Sequence, residues 1–323
     1  MNKNILVIGS LAYDYIMNFD DRFADHIMPD KIHVLNVAFT AEKLSKEFGG
    51  TAGNIGYNLS LLGEKPYIQA TVGKDFSDYK TWLYENNIKL DFIKILKDEY
   101  TASAHIITDK DDNQITAFHG GAMFLNNFSI KDLIYKIKPE IAIVAPDSSE
   151  GMILHAKELK EARVPCIFDP GQALPQFKKK ELIDLITDSK VALFNDYEIE
   201  LFKKNSELSI DEIKKLTEYL IITKGCEGSS IFYKEKKYKI LPAKPLNNSD
   251  PTGAGDAYRA GIIYGLVNKL SIDIMGRIAS LCAVYTVEKY GTQTHRFTIE
   301  EFKKRYKDNF GSFPPSTLSM TGV

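Results

Sequence analysis

The chain has 323 residues, 44% apolar and 26% charged, and its 41 basic side chains nearly balance 43 acidic ones. That composition fits a globular α/β core and leaves no basic surplus for a nucleic-acid footprint. Three widely spaced cysteines exclude a disulfide framework and the six histidines fall at no zinc-ligand spacing. No apolar run reaches the length of a membrane span or signal-peptide core, so a cytoplasmic protein with neither nucleic-acid nor membrane partners is expected.

Residues 4–9 read as a buried opening strand, apolar on both faces. No Gly-x-Gly-x-x-Gly follows, which disfavours a nicotinamide-binding start. Asp14 comes just past the strand, where open α/β sheets bind ligands; a turn aspartate also fits that position. Residues 13–19 and 33–40 are strand-like runs joined by a polar segment. Residues 102–108 and 114–119 form a second pair around Lys110-Asp111-Asp112-Asn113. These four runs interrupt the strand–helix alternation. They predict a small separate sheet, which is either a lid over a site or a pair of surface hairpins.

Gly49-Gly50-Thr51-Ala52-Gly53-Asn54 opens a helix that runs through Leu59, Leu61 and Leu62 to a stop at Gly63. Bare glycines let a ligand approach the backbone, and the Asn54 amide both donates and accepts; close helix packing also uses such glycines. From Pro66 onward, apolar strands at 67–72, 141–145, 166–169, 191–195 and 219–223 alternate with amphipathic helices such as 79–86, 151–162 and 181–187. This alternation implies a mostly parallel sheet covered on both faces. Asp147, Asp169, Asn195 and Thr223-Lys224-Gly225 stand at strand ends, the ligand-facing side of such sheets. Asn195-Asp196-Tyr197-Glu198 suits magnesium held through water, and suits a helix N-cap equally well. No Walker A loop occurs, and the lysines at 178–180 and 234–239 read as a solvated face and a hairpin turn.

Asp250-Pro251-Thr252-Gly253-Ala254-Gly255-Asp256-Ala257-Tyr258-Arg259-Ala260-Gly261 then leads into a helix with Ala257, Ala260, Ile262, Ile263, Leu266 and Val267 as apolar residues. Small residues at its start uncover backbone N–H groups at the positive end of the helix dipole, which makes an anion site. A carboxylate there, Asp256, would repel a resting phosphate, and a general base for an attacking hydroxyl explains it. The plain alternative is a helix capped by Ser249 or Asp250. An apolar helix at 272–290, Gly291-Thr292-Gln293, a closing helix at 298–306 and a frayed tail from 311 to 323 complete the chain.

The string from Asp250 to Gly261 closely resembles the C-terminal signature of the ribokinase/PfkB family of carbohydrate and nucleoside kinases. Gly49-Gly50 with Asn54 resembles its N-terminal signature, about 200 residues earlier and in the right order. The resemblance implies an α/β three-layer sandwich over residues 1–310, with a mostly parallel central sheet and a small β lid drawn from about 13–40 and 101–120. It also implies transfer of the γ-phosphoryl of ATP, with Mg2+, to a hydroxyl of a small molecule. By this resemblance Asp256 is the base, and the amides of Gly253, Ala254 and Gly255 hold the transferring phosphoryl. Asp14, Gly49, Gly50 and Asn54 then meet the acceptor. Asn195, Thr223, Lys224, Gly225, Gly228, Thr252, Gly253, Gly255 and Ala283 meet ATP, and Asn195 and Glu198 organise magnesium through water. Asp250 and Thr252, with backbone near Gly291, resemble a monovalent-cation site for K+, and related lids occur free or paired in homodimers.

The acceptor expected is a nucleoside, adenosine first, ahead of a sugar. Residues 26–33 and 47–54 look like bacterial adenosine and nucleoside kinases of the family. Tyr13, Tyr15, Ile16, Phe39, Ile106, Phe118 and Met123 offer apolar surface for a purine, or pack the lid onto the body or onto a second subunit. A sugar phosphate would call for a basic cluster, and Arg259 alone stands in the motifs. A non-catalytic sensor would have no need of Asp256.

Overall fold

The computed structural model describes residues 3–28, 36–111 and 113–313. The chain opens with β1 (Ile5–Ile8), β2 (Ala12–Asn18), the single turn α1 (Phe23–His26) and β3 (Lys43–Gly49). α2 (Thr51–Leu61), β4 (Tyr67–Val72), α3 (Ser77–Glu85) and β5 (Lys89–Ile95) follow, then the hairpin of β6 (Ala102–Thr108) and β7 (Gln114–His119). Next come α4 (Lys131–Ile137), β8 (Ile141–Val144), α5 (Ser149–Glu161), β9 (Cys166–Phe168), α6 (Lys179–Ile186), β10 (Ser189–Asn195), α7 (Asp196–Ser206), α8 (Ile210–Leu216) and β11 (Thr217–Thr223). A second hairpin, β12 (Ser229–Tyr233) with β13 (Lys236–Ile240), precedes α9 (Ala254–Val267), α10 (Ile272–Val287) and α11 (Ile299–Phe310).

Nine strands form the main sheet in the order β13-β12-β11-β10-β9-β8-β1-β4-β5. All neighbours are parallel except the β11–β12 and β12–β13 pairs. Period-two alternation of buried aliphatics builds a core on each face. Ile5, Val7, Ile143 and Leu193 meet α2, α3, α9 and α10 on one side. Leu6, Ile8, Val144 and Phe194 meet α4, α5, α6, α7 and α8 on the other. Every βα crossover leaves the same edge of the sheet, so the loops after the strands gather there.

The small sheet has the order β3-β2-β6-β7 and shares no strand with the main one. The hairpin β6–β7 and the run into β2 fall where alternation placed them. The fourth strand does not. Of the run at 33–40, residues 33–35 lie outside the described residues and 36–40 carry no strand; β3 at Lys43–Gly49 takes the place instead. Lys-Leu-Ser-Lys-Glu-Phe-Gly exposes Leu44 and carries charges on its pleat, so no alternation announces it, and its pairing with β2 makes it a strand. β5, a half-exposed sheet edge, was silent for the same reason. The helix at 272–290 ends at Val287, and the closing helix runs on to Phe310. Residues 29–33 of the segment likened to adenosine kinases, and tail residues 314–323, lie outside the described residues.

Candidate active site

Between the two sheets, at the strand ends, lies a cleft of about 520 Å³. The diglycine builds its back wall. Gly50 stands at φ +84, and a Cβ there would sit 2.6 Å from the Ser10 carbonyl and 2.7 Å from the Ala12 amide, so only glycine lets α2 start against the β1–β2 crossing. The Thr51 and Ala52 amides donate to Ser10 Oγ at 3.1 Å and to its carbonyl at 3.0 Å, locking that crossing. Gly49 leaves room for the Asp14 carboxylate, which projects from β2 into the cleft.

Asp14 faces Glu47 across the β2–β3 ladder, and burial, then Glu47 and Asp250, push its carboxyl up to about 6. Asp256, in the first turn of α9, is raised to about 6 by burial, with Asp169 and Glu198 adding to the rise and Arg259 and Asn54 opposing it. Arg259, one turn further along α9, grips the fully buried Asp169 through Nε and Nη2. Its Nη1 lies where a Cβ on Gly255 would come within 2.6 Å. Gly255 is therefore a glycine because of a neighbouring side chain, not because of its own backbone angle.

The signature turn differs from the plain capped helix. Gly253 occupies the N-cap at φ 77 with no side-chain cap. Asp250 instead accepts the Thr252 amide at 2.9 Å and the Gly291 amide at 3.2 Å. Of the three expected hole donors, Gly253 and Gly255 line the cleft, whereas the Ala254 amide turns back to the Pro251 carbonyl at 3.2 Å. Asn195 does cap α7, in a reciprocal box with Glu198: each accepts the other's amide, at 2.7 and 2.8 Å. Both also face the cleft, and burial, reinforced by Asp169, raises the Glu198 carboxyl.

The cleft thus brings together Asp14, Gly50, Asn54, Asn195, Glu198, Thr252, Gly253, Gly255 and Asp256. Thr223 sits beside Asn195 in the β10–β11 register, and Lys224, Gly225 and Gly228 make the tight turn after it, outside the cleft lining together with Ala283 on α10. The apolar surface offered to a purine is corrected. Phe118 and Met123 line the cleft, joined by Phe124, but Tyr13, Tyr15, Ile16, Phe39 and Ile106 do not. Tyr13 packs on Phe48 and on Tyr79 of α3, Tyr15 stacks on His105, and Phe39 joins Phe19 and Phe23, so Tyr13 ties the lid to the body while the other rings pack within the lid.

Sequence reasoning also missed polar partners at the cleft. Asn54 donates from Nδ2 to Asp256 at 2.8 Å, and Gln293 donates to Asn54 Oδ1 at 3.0 Å. Asp147, raised by burial to about 7, accepts from Asn126 and from the Ser148 amide. Gln172 and Gln176 line the same wall. A polar residue at a strand end was the only signal for Asp147.

A mostly parallel α/β sheet with a small β lid, and between them a cleft holding a glycine-rich helix start and a buried carboxylate, is the frame of a phosphotransferase with an alcohol group as acceptor. The chain belongs to the pfkB carbohydrate kinase family, whose profile matches residues 2–298. It is 32% identical over 306 residues to a nucleoside kinase of Methanocaldococcus jannaschii, covering 94% of this chain and 96% of that protein. It is 29% identical over 213 residues to a ribokinase of Lactococcus lactis, covering 64% of this chain and 68% of that one. The structure of the Burkholderia thailandensis nucleoside kinase in complex with inosine matches with a TM-score of 0.86 at 36% identity, covering 96% of this chain and all of that one. The fold is ribokinase-like, and the same Burkholderia enzyme has been solved with ADP and inosine.

Proposed function

We propose that this chain transfers the γ-phosphoryl of ATP to the 5′-hydroxyl of a nucleoside, adenosine first. The observation that carries the reading is one cleft with two buried carboxylates, Asp14 and Asp256, and an apolar end made by Phe118, Met123 and Phe124. Asp14 accepts hydrogen bonds from two ribose hydroxyls, with Gly49 leaving room for that carboxylate and Gly50 bringing its backbone to the sugar. In the same cleft the 5′-hydroxyl then meets Asp256, which takes its proton as the oxygen attacks. The Gly253 and Gly255 amides and the α9 dipole meet the charge that develops on the phosphoryl group. The apolar end covers the base, and Gln172 and Gln176 give polar edges for a purine that a bare sugar would not reach. ATP lies toward the turn of Thr223, Lys224, Gly225 and Gly228, with Thr252 and Ala283 flanking it.

The residues fit magnesium held through water. Glu198 commits one carboxylate oxygen to the Asn195 amide and keeps the other, and magnesium retains most of its water shell. Bound there, the ion neutralises phosphate charge. Asp250 and Thr252 fit a monovalent cation such as K+, since each Asp250 oxygen spends one lone pair on an amide and keeps another. The deciding measurement is kcat/KM for adenosine, inosine, cytidine, ribose and fructose 6-phosphate under one set of conditions. A nucleoside leads if the reading holds; ribose or fructose 6-phosphate ahead of every nucleoside overturns it in favour of a sugar kinase.

A further inference from the structure

Three side chains from distant parts of the chain meet behind the base, and their hydrogen-bonding abilities allow only one arrangement. Trp82, on α3, donates from its indole Nε1 to Gln293 Oε1 at 2.9 Å. An indole N–H can only donate, so the oxygen of the Gln293 amide must face it. The nitrogen is thereby turned the other way, where it donates to Asn54 Oδ1 at 3.0 Å and to the Tyr79 hydroxyl at 2.6 Å. Tyr79 accepts there because its own proton goes to the Gly49 carbonyl at 2.7 Å. With its oxygen held by Gln293, the Asn54 amide has its nitrogen left for Asp256, and the Nδ2–Oδ2 distance is 2.8 Å. Every polarity in the chain Trp82–Gln293–Asn54–Asp256 follows from the one group that cannot reverse.

We infer that Gln293 is a positioning residue for phosphoryl transfer, which acts through Asn54 to hold the Asp256 carboxylate in one orientation with a hydrogen-bond donor on it. The inference rests on the reading of Asp256 as general base. Gln293 is 3% exposed and Asn54 4%, and the hydrogen bond between them is buried, away from bulk water. Without the relay Asn54 is free to rotate by half a turn. Its oxygen would then face the carboxylate, removing a donor and adding a repulsion. The donor favours the charged form of Asp256, which is otherwise raised by burial and by Asp169 and Glu198 and eased by Arg259 on its own helix. Tyr79 also touches the relay and burial holds it neutral, while the Arg296 guanidinium lies over the Trp82 ring at 5.3 Å.

This assignment adds to the usual reading of the asparagine as an acceptor contact. It also explains why Gly53 is a glycine: any Cβ there would run into the Tyr79 hydroxyl and crowd the Gln293 amide.

The test is a cycle of variants on the full-length protein. Gln293→Glu is isosteric and, assayed at pH 8 where it is ionised, still accepts from Trp82 but cannot donate to Asn54. Gln293→Met removes the relay without adding charge. Both should lower kcat by roughly tenfold or more while KM for ATP and acceptor stays within about threefold, because only orientation at the reacting atoms is lost. In an Asn54→Ser background, which has no amide to orient, the same two changes should leave kcat within about twofold of the single variant. Any loss of melting temperature should persist in both backgrounds, since packing does not depend on Asn54. Turnover near wild type in folded Gln293→Glu, or an equal kcat loss with and without Asn54, overturns the relay. If Met at 293 does not fold, the isosteric Glu variant decides alone. Asp256→Asn separates the two levels: near-normal turnover there removes the base itself, whereas a dead Asp256→Asn with an additive cycle removes only the relay.

Discussion

The base proposed here, Asp256, sits in surroundings that oppose that task. A base must be ionised, yet burial pushes this carboxyl from 3.8 to about 6, and Asp14 shares the same displacement. The expected consequence is an acid limb: kcat/KM rises with pH through about 6 as the two carboxylates lose their protons, and a rate flat from pH 5 to 8 would contradict both assignments. Asp256→Asn should keep ATP and acceptor binding while kcat falls about a hundredfold or more. The same change should alter stability with a definite sign. A folded pKa above the unfolded one means the protonated form supports the fold, so that support is complete below about 3.8 and lost as pH rises through about 6. Asparagine never ionises. The variant should therefore melt above wild type at pH 8, by a margin that narrows at pH 5, in paired thermal scans. Asp14→Ala should act on the other substrate, raising acceptor KM strongly with little change for ATP, since two hydrogen bonds to a charged group of about 1.5–3 kcal/mol each are lost. A larger loss of ATP affinity than of acceptor affinity would place Asp14 elsewhere.

At the level of elements, alternation was the reliable signal. β4 at Tyr67–Val72 and the β6–β7 hairpin announce themselves by period-two apolar residues, and the α9 start by its small residues. β3 does not, because Lys43, Lys46 and Glu47 break up its apolar residues and only the pairing with β2 makes it a strand. The candidate site was legible where a residue type carries the chemistry alone, as with Asp14, Asp256 and the glycines. It was illegible where the arrangement comes from pairing, as between Gln293 and Asn54, 239 residues apart, or between Arg259 and Asp169, 90 apart. The diglycine shows the middle case. Its turn is visible in the sequence, but its reason is the backbone of residues 10–12 pressed against it. Gly50→Ala should then cost more than about 2 kcal/mol, from a left-handed φ plus a clash with backbone that cannot move aside. Denaturant unfolding checks this, and a loss below about 1 kcal/mol would mean that α2 can shift away from β1 without harm.

On the scale of the molecule, the cleft lies between two sheets that share no strand, and the chain passes between them at residues 9–11, 50, 96–101 and 120. The lid's outermost strand, β7, exposes all six of its side chains, and Phe118 and Phe124 are each 54% exposed although they line the cleft. Apolar rings left that open beside a polar floor gain most from a ligand with a flat apolar face. In the proposed reading a nucleoside would bridge the sheets, ribose at Asp14 and base at the rings, whereas ribose alone would reach only the Asp14 wall. Amide hydrogen exchange distinguishes the two ligands. Adenosine should slow exchange at residues 10–14 and 49–54 and also along 114–125, and ribose at the first two segments only. Pairing of two lids along the β7 edge would slow 114–125 as well, but in proportion to protein concentration and without any ligand. Protection that appears with adenosine at fixed, low protein concentration therefore belongs to closure over the base. Equal protection of 114–125 by ribose would mean that the rings answer to lid movement in general and select no base.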